Sequence, residues 1–316
     1  MRTRWTVLAA MLAWVCLLPG TATRAEDYPV RPITFIVPWG SGGGADQIGR
    51  VAARLLEKEL HVSLPVINIP GATGQTGLVK LLTSPTDGYT IELMTADTFA
   101  LQIVQAPRFR LEQLELLGVL IQQQSGLFVT QDSPFKTWED VKQTAQERAL
   151  KVAITGFGSP DDLSIGFLRS QGLKLTPVPY PEPGLRYSSV MGGQVDLLYT
   201  RPGDIRGLVD GKQVRPLMFF SDRPVAEYPD TPSARQLGYD AALPQFRILV
   251  MRSGTPPDRV RQLSALLERV AADPEFKDQL GRQMADTEGF IPASGAEAYV
   301  QDWLRKASQL AASKAK

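Results

Sequence analysis

The residue types that most often carry chemistry are nearly absent: the 316 residues include one cysteine and one histidine. Cys16 lies in an N-terminal apolar run that is expected to be removed. Disulfides, thiolate nucleophiles and cysteine metal sites are then excluded together. His61 falls at the end of an expected helix, where a histidine reads as a partly exposed residue near the C-terminus. Without a second histidine, neither a histidine metal cluster nor a Ser-His-Asp triad can be assembled. A dominant charge sign is missing too. Lys and Arg number 34 against 33 Asp and Glu, a formal charge of +1, so no polybasic surface for nucleic acid is implied. Nor is there a stretch of about 20 apolar residues that would span a bilayer.

What the chain does have begins with Arg2 and Arg4, an apolar run over 5–18, Pro19-Gly20 and a small-residue segment over 21–25. This is the pattern of a secretory signal peptide, and cleavage is expected after Ala25. Cys16 follows Val15, whereas a lipoprotein signal places a small residue there, so no lipid anchor is expected. Loss of Arg2, Arg4 and Arg24 takes the formal charge from +1 to −2.

The stretch that organises the rest is Phe35-Ile36-Val37-Pro38-Trp39-Gly40-Ser41-Gly42-Gly43-Gly44-Ala45-Asp46. It reads as a buried strand, a glycine loop and a helix whose apolar face holds Ile48, Val51, Ala52, Leu55, Leu56 and Leu60. The first turn of a helix has amide hydrogens without partners and about half a positive charge, so an anion there gains on both counts. The pattern repeats: a strand over 64–69 runs into Pro70-Gly71-Ala72-Thr73-Gly74-Gln75-Thr76-Gly77 and a helical run over 78–82. In a doubly wound sheet both loops sit at the carboxyl ends of their strands, on one edge, where together they can hold one carboxylate.

Further on, strands are expected over 89–94, 151–155, 178–180, 195–199 and 214–220, and helices over 138–148, 163–171 and 295–311. Thr137-Trp138-Glu139-Asp140 is a capping box. In Thr255-Pro256-Pro257-Asp258 the threonine reads as the cap of another helix. The apolar run over 116–129 is broken by Gln122-Gln123-Gln124-Ser125-Gly126, as suits a crossing between domains, and the chain returns near 246–251. Two α/β lobes, each with its own core, joined by two crossings, are expected. The lobes are assigned as 26–123 with 247–316, and 124–246.

Ile33-Thr34-Phe35-Ile36-Val37-Pro38-Trp39-Gly40-Ser41-Gly42-Gly43-Gly44-Ala45-Asp46, Pro70-Gly71-Ala72-Thr73-Gly74, Pro85-Thr86-Asp87-Gly88-Tyr89-Thr90, Gly192-Gly193-Gln194-Val195-Asp196 and Ser253-Gly254-Thr255-Pro256 resemble, in order and spacing, the tripartite tricarboxylate transporter substrate-binding proteins, the Bug or TctC type. The resemblance implies an α/β, type II-like periplasmic binding protein that gives a small organic carboxylate to a membrane permease. It also implies binding by backbone amides of the two glycine loops, 39–46 and 70–75. Trp39-Gly40-Ser41 stands where many members have Phe followed by Ala-Pro. Gly158-Ser159-Pro160-Asp161-Asp162 lacks the Gly-[ST]-x-x-His-Leu often seen in the second lobe. Ligand identity is therefore not carried over.

The candidate ligand-binding residues are Trp39, Gly40, Ser41, Gly42, Gly43, Gly44, Ala45 and Asp46 in the first loop, Gly71, Ala72, Thr73, Gly74 and Gln75 in the second, and Phe157, Gly158, Ser159, Asp161 and Arg201 in the second lobe. Several carry a plainer reading. Asp46 is a poor neighbour for an anion and a good cap for backbone amides. Trp39 is either a core aromatic or a wall for a flat ligand. Ser159 and Asp161 either touch ligand or cap a helix, and Arg201 is either the bidentate partner of a second carboxylate or an exposed loop residue. Enzyme motifs are incomplete. Gly40-Ser41-Gly42-Gly43-Gly44-Ala45 fits GxGxxA, but Ile67-Asn68-Ile69 supplies no acid for a ribose. Ser41 and Ser159 miss GxSxG because Trp39 and Phe157 occupy its first position. Asp46 with Asp161 is the one carboxyl pair available to a hydrolase reading. No catalytic residue, metal or cofactor is called for, and a monomer is expected.

Overall fold

A computed structural model of the chain describes residues 28–104 and 109–314. The expected signal peptide lies outside the described residues. The first sheet has six strands in the order β11-β4-β10-β3-β1-β2, comprising β1 (Thr34–Val37), β2 (Val66–Asn68), β3 (Thr90–Thr95), β4 (Leu114–Gln123), β10 (Gln245–Arg252) and β11 (Ile291–Pro292). β1 pairs in parallel with β2 and β3, and β10 runs antiparallel to β3 and β4. Strands covered on both faces read as continuous apolar runs. In β1, accordingly, Phe35 and Val37 pack with α1 (Gly44–Leu60) and α8 (Pro257–Ala272), while Ile36 packs with α2 (Gln75–Thr83) and α3 (Ala96–Val104) on the other side. Gly49 lets α1 lie close on β1, since a Cβ there would sit 2.9 Å from Val37 Cγ2.

The second sheet, in the order β7-β6-β8-β5-β9, holds β5 (Gly126–Thr130), β6 (Leu150–Ile154), β7 (Leu175–Pro179), β8 (Leu197–Thr200) and β9 (Val214–Phe219). The chain enters it between Gln123 and Gly126 and leaves between Phe219 and Gln245. Around it lie α4 (Trp138–Glu147), α5 (Pro160–Ser170), α6 (Pro183–Met191) and α7 (Arg206–Asp210). α9 (Pro274–Arg282) and α10 (Ala293–Lys314) close the chain. No described helix is long and apolar enough to cross a membrane.

Three local expectations change. Thr137 and Asp140 form the capping box of α4 as read, but Thr255 does not cap α8. Its hydroxyl donates back to Arg252 O at 2.7 Å, and Pro256 takes the cap position with no side chain to offer. The helix α6 was unforeseen, hidden in the Pro-Glu-Pro-Gly segment that starts it with a proline in its first turn. The lobes also do not keep separate cores. One buried cluster runs from Ile36, Met94 and Val119 to Val152, Leu197 and Leu217, because α10 packs on β4 and on α5 at once. Trp303 of α10 anchors it, donating from Nε1 to Pro244 O at 2.7 Å and meeting the Phe246 ring at 5.3 Å.

Glu92 of β3 is fully buried on the α2 side of the sheet, and neither carboxyl oxygen has a partner. Burial holds its pKa well above the ordinary 4.5, so the folded chain keeps a proton that the unfolded chain loses. Stability from this group is complete below the ordinary value and is lost as pH rises towards and through the raised one, at about 1.36 kcal/mol for each pH unit between the two. Glu92→Gln, which cannot ionise, should therefore gain thermal midpoint relative to wild type as pH is raised from 5 to 9. A constant difference across that range would show that Glu92 does not carry this proton.

Candidate functional site

At the carboxyl end of β1 the chain turns through Gly42, at φ +81°, and enters α1 with Gly43 as its N-cap. Glycine has no side chain to cap with, so the first-turn amides of α1 are left open. Asp46 does not compete for them. Its Oδ2 accepts from the Gly42 amide at 2.9 Å and its Oδ1 from Asn68 Nδ2 at 2.9 Å, while Arg50 pairs with it at 3.0 Å. Burial pushes this carboxyl up, but the bonds from Arg50, Gly42 and Asn68 outweigh burial and hold it below its ordinary range. Asp46 is the tie that shapes the loop. Asn68 Nδ2 also donates to Trp39 O at 2.9 Å, which fixes the tryptophan backbone.

Between the two sheets lies a narrow cavity of about 30 Å³. Trp39, Gly43, Gly44, Ala45 and Arg201 of the predicted set line it. Gly40, Ser41 and Gly42 stand just outside, with Ser41 Oγ bonded to Asn68 Oδ1 at 3.2 Å. The second loop sits on the same sheet edge, as β1 and β2 are parallel neighbours, yet none of Gly71, Ala72, Thr73, Gly74 and Gln75 lines the cavity. Four positive φ angles in a row, from Gly71 to Gly74, fold it on itself, and the Gly74 and Thr76 amides both reach Gly71 O. Thr73 instead faces the second lobe, its Oγ1 lying 3.2 Å from where a Cβ on Gly156 would be.

The second-lobe loop behaves likewise. Ser159 caps α5 and bonds to Gly156 O, so its hydroxyl is committed. Asp161 Oδ2 accepts from the Thr155 amide at 2.9 Å and its hydroxyl at 2.7 Å. Gly158, at φ +80°, admits Val104 of α3, whose Cγ2 would lie 2.5 Å from a Cβ there. Phe157 is 59% exposed at the rim. Asp46 and Asp161 belong to different lobes, neither lines the cavity, and both are bonded to their own loops. The carboxyl pair needed by a hydrolase is not assembled.

The charged residues that do meet in the cavity were largely missed. Arg201 is neither exposed nor free for a ligand carboxylate, because its guanidinium pairs with Asp204, Nε donating to Oδ2 at 2.6 Å. Arg247 of the first sheet reaches the other oxygen of Asp204 at 3.3 Å and donates to Gln283 Oε1 at 2.9 Å. Gln283 Nε2 in turn donates to Gly44 O at 3.2 Å. Burial pushes the Asp204 carboxyl up, but Arg201 and Arg247 together hold it below its ordinary range. Arg186 of α6 donates to Thr155 Oγ1 at 3.0 Å and Tyr180 O at 3.1 Å. On the first-lobe side, Trp39 Nε1 donates to Thr95 Oγ1 at 3.2 Å, which donates to Asp97 Oδ2 at 3.1 Å. Burial, with the like charge of Asp161, raises the Asp97 carboxyl to about 6. One sequence signal was available for two of these: Arg247 interrupts an apolar strand, and Asp97 follows the carboxyl end of a parallel strand, where open sheets bind ligands.

The arrangement can hold a small anion between the two sheets, with the open amides of α1 on one side and guanidiniums on both. A family model described as tripartite tricarboxylate transporter family receptor matches residues 48–313. The chain belongs to that family. It is a family of substrate receptors, not of enzymes. BugT of Bordetella pertussis is 28% identical over 264 residues, covering 80% of each chain. Among solved structures, MatC of Rhodopseudomonas palustris with bound malate has a TM-score of 0.82 at 22% identity, covering 90% of this chain and 99% of that one. A second protein, from R. palustris and solved with adipate, has a TM-score of 0.83 at 21% identity, covering 92% and 99%. This receptor shares their two-lobed α/β fold.

Two substitutions test the geometry. Asp204→Ala leaves two buried guanidiniums without their carboxylate and should cost about 3–5 kcal/mol in denaturant unfolding. Gly44→Ala puts a Cβ 1.9 Å from Asp204 Oδ1 at a position without positive φ, so the chain should fold with Asp204 displaced from the start of α1. Ligand affinity by calorimetry should fall about tenfold, equivalent to about 1.4 kcal/mol. Unchanged affinity would show that the Gly44–Asp204 approach is not used in binding.

Proposed function

We propose that this receptor captures a small organic carboxylate between its lobes in the periplasm and delivers it to a tripartite tricarboxylate-type membrane permease. The observation that carries this reading is the glycine-capped first turn of α1, whose unpaired amides open into a cavity that Arg186, with an unpaired Nε, also lines. Anions gain hydrogen bonds and a favourable dipole at such a turn. The malate and adipate bound by two proteins of like fold are both carboxylates. Charge-assisted hydrogen bonds are each worth about 1.5–3 kcal/mol, and a micromolar dissociation constant corresponds to about −8.2 kcal/mol. A few such bonds, less the cost of closure, give an affinity tight enough to capture and loose enough to release.

A thermal-shift screen of the purified protein tests this directly. A carboxylate present at about 100 times its Kd should stabilise the fold by about 2.7 kcal/mol, and its primary amide should not. Transport of that acid by cells carrying the cognate permease should require this chain. Silence across mono-, di- and tricarboxylates would refute the reading.

A further inference from the structure

Three buried side chains that line the cavity have polar atoms without a partner. Asp97, 3% exposed, has Oδ1 free. Its other oxygen is held by Thr95, and Thr95 by Trp39, so the carboxylate cannot turn to pair both. Gln245, also 3% exposed, has both its amide oxygen and its amide nitrogen free. The β10–β3 ladder pairs Arg247 with Thr95, and Gln245 and Asp97 each lie two residues beyond that pair, on the cavity wall. From the opposite lobe, Arg186 presents an unpaired Nε. The first lobe thus offers two acceptors side by side, and donors stand at Arg186, at the Gln245 amide and at the first turn of α1.

Charge points the same way. Three guanidiniums, of Arg186, Arg201 and Arg247, are balanced by three carboxylates, of Asp97, Asp161 and Asp204, in and just behind the cavity. A dicarboxylate would bring two further negative charges into a buried site that already contains the half-free Asp97, and like charges without a counter-ion are costly there. A ligand with one positive and one negative group keeps the balance. Taking the site as a carboxylate site, as proposed above, we infer that it selects an amino-acid zwitterion. Asp97 Oδ1 and Gln245 Oε1 receive the ammonium, while Arg186 and the α1 amides receive the carboxylate.

Calorimetry on the purified chain with matched triplets tests this: aspartate, malate and succinate; alanine, lactate and propanoate; phenylalanine, 3-phenyllactate and 3-phenylpropanoate. In at least one triplet the amino acid should bind about 100-fold tighter than both analogues, as expected where a site's buried polar groups would otherwise be left unpaired. Asp97→Asn should erase that preference, with the unsubstituted acid binding as well as or better than before. The ligand-free thermal midpoint reports whether the variant folds, and Gln245→Met, expected to weaken the amino acid more than its analogues, serves if it does not. A hydroxy acid or dicarboxylate that matches its amino counterpart would overturn the inference and leave the carboxylate reading standing. Retention of the amino preference in folded Asp97→Asn would overturn the role of Asp97. Failure of every acid to bind would overturn both readings.

Discussion

The closed arrangement of this protein depends on one carboxylate. Asp204, carried by the turn after β8, accepts from Arg201 of its own lobe and Arg247 of the other. It reaches Arg247 only because Gly44 has no Cβ and because Gly203 lies directly on the Gln283 backbone, where a Cβ would sit 2.0 Å from the carbonyl oxygen. A buried ion pair is weak evidence of net stability, since desolvation offsets most of the attraction. Its value here is positional. Arg201 pairs with Asp204 within its own lobe, but Arg247 reaches that carboxylate only when both lobes are in register, so this second pairing specifies how the lobes meet.

The same turn of α1 serves recognition. Gly43 and Gly44 leave the helix start uncapped and allow Asp204 and Gln283 to approach, while Asp46, in the same first turn, is fully occupied in shaping the loop. Replacing either glycine by an ordinary cap would satisfy the amides internally and fill the space they face. The receptor keeps unpaired donors where a soluble helix would ordinarily hide them, and such a feature persists at a site where a ligand completes it.

Much of the architecture was legible because it rests on local patterns. Alternating strands, glycine loops and amphipathic helices in the first 100 residues specify a parallel sheet, and the polar break over 122–126 marks the crossing found between β4 and β5. The first glycine loop was legible for the same reason. The second loop was legible as a loop at a strand end, but not its fold, in which the Gly74 and Thr76 amides return to Gly71 O. Arg201 was noticed for its place at a strand end, but its partner stands three residues on, inside a turn whose burial no periodicity reveals. Asp97, Arg186 and the β10 residues Gln245 and Arg247 come from three elements of two lobes, and nothing in the spacing of those elements along the chain announces that they meet.

By itself, then, the sequence determined the two-sheet α/β class, the crossing and the glycine-capped helix start, since each follows from residues that are neighbours in the chain. Tertiary structure decided which loop lines the cavity, which arginine is already neutralised, and which buried atoms remain without partners. Those are properties of charges and hydrogen bonds brought together from distant segments. Their energies depend on burial and on angstrom-scale separation, and both exist only once the lobes have packed.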